Sequence, residues 1–392
     1  MRIAVFSGVI PSTTFIEHLI EGIANSHDVL LFGTLQKPKT YHSNRIKTYS
    51  NSKSKFKSFV VSCYRFLILM FRYPKRLSVL FSEVKKQKGT YNKRRTLVRV
   101  LPVILYKPDV FHIQWAKDLE HWVFLKETLN VKLVLSLRGA HINYSPIANE
   151  TLAKSYQINF PKVDAFHAVS EAISIEAQRY NAEATKIKVV HSPIPASTFE
   201  HFSTYKIPES AVFNICVVGR FHWKKGYKYA LDACKILKDK GFDFHLTFIA
   251  SNPVSEAVLF QIHQLELINH VTILKGLPQA DLFKLMKTFN VQLLSSLEEG
   301  IANVVLEAMA IGLPVIATHC GGMAEVVKPN TNGWLIPVRD AEAIANSIIE
   351  VSQSSEGQLK EITQNAHDFV KHHFQALDSI QKFEELYQSV LK

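Results

Sequence analysis

Cysteine is scarce in this chain of 392 residues: Cys63, Cys216, Cys234 and Cys320 are the only four, and none stands in a C-x-x-C pair. That spacing argues against a zinc site or a disulfide framework and fits a reducing compartment. Long apolar runs are missing too. The best candidate, Phe59 to Phe71, is interrupted by Ser62 and Arg65 and falls short of a bilayer span. The opening Met1-Arg2-Ile3-Ala4-Val5-Phe6 has only one positive charge, a short apolar run and no small-residue cleavage site, unlike a signal peptide, so it reads as a first strand. A cytoplasmic protein, soluble or peripheral to a membrane, is expected. No G-x-G-x-x-G follows that strand, where Ser7-Gly8-Val9-Ile10-Pro11 stands instead, which argues against a dinucleotide-dependent oxidoreductase. Acids are nearly absent between Lys37 and Lys107, where nineteen Lys and Arg face Glu83 alone in a chain of net charge +12. No RNA- or DNA-binding motif accompanies this charge, so nucleic acid is the alternative partner and not the expected one.

What is present is a repeated alternation of short Val-, Ile- and Leu-rich runs with helical patterns, the mark of parallel strands joined by crossover helices. Strands are expected at 2–6, 29–32, 110–114, 132–137, 165–169 and 187–190, and again at 214–219, 245–250, 271–275, 291–295 and 315–318. The fold class is α/β, with two doubly wound, Rossmann-like parallel sheets. The two prolines in His191-Ser192-Pro193-Ile194-Pro195 break any regular element and mark the linker. A first domain over 1–195, a second over 196–375 and a helix over 376–392 that could cross back to the first follow from this. Two such sheets set face to face would bind a ligand at the carboxyl ends of their strands.

Three segments carry chemistry. In the run from Val217 to Gly226, Arg220 and Lys225 lie between a strand and a helix, where two cations and free amides suit a phosphate; solvated surface charge is the competing interpretation. Glu299 precedes a helix and Glu307 lies two turns along it, with the amides of Ile301, Ala302 and Asn303 at its start. The helix is otherwise apolar, so Glu307 is expected to be half-buried and to need a ligand or a paired base, whereas Glu299 could simply be an acid favoured by the helix dipole. Gly321-Gly322 follows a further strand, as a tight turn or a close approach to a ligand.

The run E-G-x-x-x-x-x-L-E-A-M-A-x-G-x-P-V from Glu299 to Val315, with Gly219-Arg220 and Lys225-Gly226 some eighty residues earlier, resembles the signature of glycosyltransferase family 4, whose members are retaining enzymes of the GT-B fold. The first half is similar to the exopolysaccharide, colanic-acid-type branch through Pro11 to Ile16, Ser136 to Ala140 and Val169-Ser170-Glu171. The resemblance implies a hexosyltransferase in cell-surface polysaccharide synthesis whose donor substrate is a nucleotide-diphosphate sugar, with no cofactor. It implies that Arg220 and Lys225 hold the diphosphate, that Glu299, Gly300 and the amides from Ile301 to Asn303 meet the hexose, that Glu307 takes the ribose hydroxyls, and that Leu277 and Pro278 line the base. Arg220, Lys225 and Glu299 are the catalytic candidates. Ser12, Thr13, Arg138, His141 and Glu171 are the acceptor-side candidates, with Thr13 and Arg138 standing where relatives carry an acid and a histidine.

No D-x-D pair sits at a strand end, so a metal-independent reaction is expected in which cations and a helix dipole compensate the diphosphate charge. Lys53, Lys55, Lys57, Arg65, Arg72, Lys75 and Arg76 flank the aromatic run 59–71. This is either a membrane-binding surface for anionic lipid, which would favour a lipid-linked saccharide acceptor, or a pair of helices whose aromatics pack inward. A nucleotide-sugar epimerase or a phosphorylase on the same fold is the rival enzyme.

Overall fold

The computed structural model describes residues 1–51 and 54–392. It divides into two compact units, one of Met1–Val169, Ser174–Val190 and Leu377–Lys392, the other of Ser170–Ile173 and His191–Ala376. Each is built on its own parallel sheet.

In the first unit, strands β1 (Arg2–Ile10), β2 (Asp28–Leu35), β3 (Ile46–Asn51), β4 (Val110–Ile113), β5 (Lys132–Leu137), β6 (Ala165–Ala168) and β7 (Ile187–Val189) lie in the order β3-β2-β1-β4-β5-β6-β7. Ile3 pairs with Val29 on one side and Val110 on the other. β4 and β6 are buried at every position, as expected of strands covered by helices on both faces. The helix Ala376–Ser389 completes this unit: Phe383, Leu386, Tyr387 and Val390 join Ile3, Val5, Ile16 and Val110 in one core. Its Tyr387 hydroxyl meets His112 Nδ1 at 2.7 Å, and His112 Nε2 meets Ser136 Oγ at 2.8 Å. Burial holds the His112 pKa down to about 3, so this histidine is a neutral, satisfied core residue.

Three helices follow β3: α2 (Lys55–Arg72), α3 (Lys75–Lys85) and α4 (Thr90–Tyr106), numbered after α1 (Thr14–Ile23). α2 is amphipathic in the inverse sense. Its inward positions include Ser62, bonded to the Ser58 carbonyl, and Arg65, which donates to Asn51 Oδ1 and the Ser50 carbonyl. Four of its aromatic side chains face out: Phe56 is 76 %, Phe59 56 % and Phe71 79 % exposed, with Tyr64 and the aliphatic Val60 and Leu67 between them, while Phe66 is half-buried, edge-on to Phe81. Of the two arrangements open to the sequence, inward packing of these aromatics is not the one adopted. Lys53 lies outside the described residues.

In the second unit, β8 (Phe213–Val218), β9 (Phe244–Ala250), β10 (Val271–Lys275), β11 (Val291–Leu294), β12 (Val315–Thr318) and β13 (Trp334–Ile336) lie in the order β10-β9-β8-β11-β12-β13. The order reverses between β8 and β11. Crossovers on the two sides of that point run over opposite faces, which opens a space beyond the strand ends.

Candidate functional site

The segments after β8 and β11 meet at that reversal. The carbonyl of Lys224 accepts from the Leu297 amide at 2.6 Å, and the carbonyl of Lys225 accepts from Ser295 Oγ at 2.9 Å. Gly226, at φ +63°, makes the approach possible, because a Cβ there would lie 2.0 Å from the Ser295 carbonyl oxygen. Gly321 plays the same part from β12. At φ +49°, any Cβ would fall 1.6 Å from the Glu299 carbonyl oxygen, and the neighbouring Gly322 amide donates to the Gly300 carbonyl at 2.7 Å. The glycine pair is thus a close backbone approach that fixes the Glu299 loop.

Into this frame come one acid and two cations. Lys225 Nζ lies 2.6 Å from Glu299 Oε1 and Lys224 Nζ 3.0 Å from Oε2, while Ser296 Oγ donates to Oε1 at 3.2 Å. Burial alone would raise the Glu299 pKa, but Lys225 and Lys224 more than offset it and leave it below the ordinary carboxylate value. Glu299 is therefore ionised and bridged, with local charge of +1 from the three groups together. The Lys225 chain runs back past Gly219, its Cε 3.3 Å from where a Cβ would stand, and the adjacent Arg220 is exposed. Phe221, next along, is pinned by Asn252, whose Oδ1 accepts from its amide at 2.8 Å and whose Nδ2 donates to its carbonyl at 3.1 Å.

Glu307 sits on the helix Asn303–Ile311. The amides of Ile301 and Asn303 donate to no group among the described residues, and that of Ala302 reaches only Met323 Sδ at 3.4 Å. Glu307 is half-buried and accepts from Gln279 Nε2 at 2.9 Å, which ties it to the exposed Leu277-Pro278 segment one residue earlier. The protein partner is thus a neutral amide and not the paired base that the sequence suggested. Burial pushes the Glu307 pKa up to about 7, against a smaller opposing effect of the Gln279 bond. Because the folded chain then keeps a proton that the unfolded chain releases near pH 4.5, stability contributed here falls as pH rises from that value through 7. Glu307→Gln should gain on the wild type between pH 5 and pH 8, with a ceiling of roughly 3 kcal/mol; urea unfolding at the two pH values measures it, and an equal difference at both would refute the buried-acid account.

The first-unit candidates are only partly brought together. Arg138 lies over the Phe15 ring, 4.2 Å from guanidinium carbon to centroid, and donates to Gln114 Oε1 at 3.3 Å. Ser12 and Thr13 lead into α1; Thr13 is exposed and its side chain makes no capping bond. The His141 ring is 5.6 Å from Trp115, and burial lowers its pKa, as does Lys117. Glu171 belongs to the second unit, where its amide donates to Glu325 Oε2 at 3.0 Å. Lys224, Gln279 and Gln114 are the residues that sequence reasoning passed over. Lys224 had a signal, the doubled lysine before Gly226; Gln279 and Gln114 had none.

Residues 202–369 match the family model described as glycosyl transferases group 1. Among curated proteins, the chain is 27 % identical over 249 residues to the putative colanic acid biosynthesis glycosyltransferase WcaL of Escherichia coli K12, covering 62 % of this chain and 61 % of that protein. It is 28 % identical over 258 residues to the amylovoran biosynthesis glycosyltransferase AmsK of Erwinia amylovora, covering 63 % and 62 %. The chain spans about three fifths of the length of these curated relatives. Among solved structures, Anabaena Alr3699/HepE in complex with UDP is similar at a TM-score of 0.69 and 18 % identity, over 99 % of this chain and all of that one. Sucrose-phosphate synthase from Thermosynechococcus elongatus is similar at 0.72 and 17 %, over 100 % and 99 %. The fold is accordingly the GT-B pair of Rossmann-like domains that the motifs led us to expect.

Proposed function

We propose that this chain, whose residues 202–369 match the glycosyl transferases group 1 model, is a retaining, metal-independent hexosyltransferase that uses a nucleotide-diphosphate sugar in exopolysaccharide synthesis. The observation that carries the reading is the bridge of Lys224 and Lys225 to Glu299 at the strand-order reversal of the second sheet. A carboxylate there can accept from hexose hydroxyls, and the two ammonium groups beside Arg220 can neutralise a diphosphate. Glu307 would receive the ribose hydroxyls. Their donation favours the ionised form and offsets what burial costs that carboxylate.

In the reaction, the bond between the anomeric carbon and the diphosphate oxygen breaks while the acceptor oxygen bonds to that carbon from the same face. The acceptor's proton passes to the departing diphosphate. Arg220, Lys224 and Lys225 stabilise the charge that develops there, and Glu299 positions the sugar. Colanic acid and amylovoran synthesis, named for the relatives, support an exopolysaccharide acceptor, and the UDP-glucose held by HepE supports a uridine nucleotide.

A thermal-shift series with UDP-, GDP- and ADP-sugars tests this reading. One base should raise the melting point, since a ligand at a hundred times its Kd adds about 2.7 kcal/mol. Silence from all three, or a shift that survives Lys225→Ala undiminished, would overturn it. Product analysis separates a transferase from an epimerase or a phosphorylase.

The outward aromatic face of α2 supports a second part of the proposal, that the protein works at an anionic membrane surface on a lipid-linked acceptor. No helix among the described residues is long and apolar enough to cross a membrane. The combination of exposed Phe56, Phe59 and Phe71 with Lys57, Arg72 and Lys75 on or beside the same helix matches lipid better than nucleic acid, which has no use for an apolar stripe of this kind.

A further inference from the structure

The first sheet has its own reversal of strand order, at β1, which is flanked by β2 on one side and β4 on the other. Gln114 immediately follows β4, Arg138 immediately follows β5, and Ser12 comes two residues after β1. Each carries a buried polar atom with no hydrogen-bond partner among the described residues: Gln114 Nε2, Arg138 Nε and Ser12 Oγ. Gln114 itself is fully buried. Arg138 Nη2 takes up Gln114 Oε1 at 3.3 Å, so what the pair still offers is N–H alone. The Phe15 ring, 4.2 Å from the guanidinium and 6.3 Å from Trp115, ties the pair to the start of α1 beside Ser12.

No carboxylate answers this arginine among the described residues. Glu17 on α1 is already taken by Lys39 at 2.7 Å, Tyr41 at 3.0 Å and the Ser12 amide. A guanidinium withdrawn from water without a counter-ion is costly, and a set of groups that can only donate, placed past the carboxyl ends of a parallel sheet, is complementary to an anion. We propose that Arg138 and Gln114, with the Ser12 hydroxyl, bind an anionic group on the acceptor, so that the acceptor is an acidic saccharide or a glycosyl phosphate. This rests on the glycosyltransferase reading for the word acceptor, and on the first unit alone for the anion.

The probes are glucose, glucuronate and glucose 1-phosphate, each followed by the melting temperature of the full chain, with UDP, GDP and ADP in parallel samples. Glucuronate or glucose 1-phosphate should raise the melting temperature and glucose should not. Response to the first alone assigns a carboxylate, to the second alone a phosphate. Arg138→Gln should lose the response. Gln114→Glu sets a carboxylate against Arg138 from within; it should raise the melting temperature of the unliganded protein and abolish the anion response, which a purely structural pair would not do. Glucose acting as well as the anions, or an anion response that survives both variants, overturns the proposal. So does a response that survives Arg138→Gln and disappears in Lys225→Ala, because it then belongs to the second unit. UDP, GDP and ADP in the parallel samples read the donor site separately, so silence from all three counts against the proposed function and leaves this test intact.

Discussion

Replacing Lys225 with alanine is expected to lower turnover by about two to three orders of magnitude, the usual consequence of removing one preorganised donor aimed at developing charge. The ammonium lies 2.6 Å from Glu299 in surroundings where the carboxylate side chain is only 8 % exposed, so its field is little screened by water. Two losses coincide in the variant: the leaving diphosphate forfeits a cation, and Glu299 keeps Lys224 as its sole ammonium partner. Lys224→Ala should cost less, because at 3.0 Å it holds the other carboxylate oxygen, Oε2, and leaves the shorter bridge in place. Lys225→Arg is not expected to rescue, since the lysine stem passes within 3.3 Å of a Cβ position at Gly219 and a planar fork needs more room. Steady-state turnover at saturating nucleotide sugar, with the melting temperature as a check on folding, decides the matter. Turnover within threefold of wild type would remove Lys225 from the chemistry.

The second large effect is expected at the membrane. Serine at Phe56, Phe59 and Phe71 should reduce binding to anionic vesicles by more than about a hundredfold, since burying one phenylalanine side chain contributes roughly 1.5–3 kcal/mol. Stability should hardly move. The inward side of α2 is Ser62, Arg65 and Leu69, which the triple variant leaves alone, and exposed positions usually shift stability by no more than about 0.5 kcal/mol. Neutralising Lys57, Arg72 and Lys75 should instead weaken the preference for anionic over neutral lipid, by about 1 kcal/mol per charge. Vesicle flotation with both lipid compositions separates the two contributions, and undiminished binding by the serine variant would show that α2 is not the contact.

The sheets were legible in the sequence because their strands are nearly unbroken apolar runs: β5, β10 and β12 begin and end where the pattern does. β3 escaped notice because an edge strand reading Ile-Lys-Thr-Tyr-Ser-Asn needs little apolar content and sits in a segment dominated by charge. At the site, the motif located Glu299 and Lys225, yet side-chain direction in a short turn depends on backbone dihedrals that residue identity does not reveal, so Lys224 was passed over. Gln279 and Gln114 act through contacts with residues 28 and 24 positions away, a separation no local pattern encodes. α2 shows the limit most plainly: periodicity identifies two faces and says nothing about which one the rest of the fold will cover.

The segment from Ala376 to Val390, most of it the helix Ala376–Ser389, supplies Phe383, Leu386, Tyr387 and Val390 to a core otherwise made from residues 1–190. Order of synthesis and order of completion therefore differ. Residues 1–190 must wait, with His112 lacking its phenolic partner, until residues 191–376 have been made, and removing residues 377–392 damages the first unit more than the second.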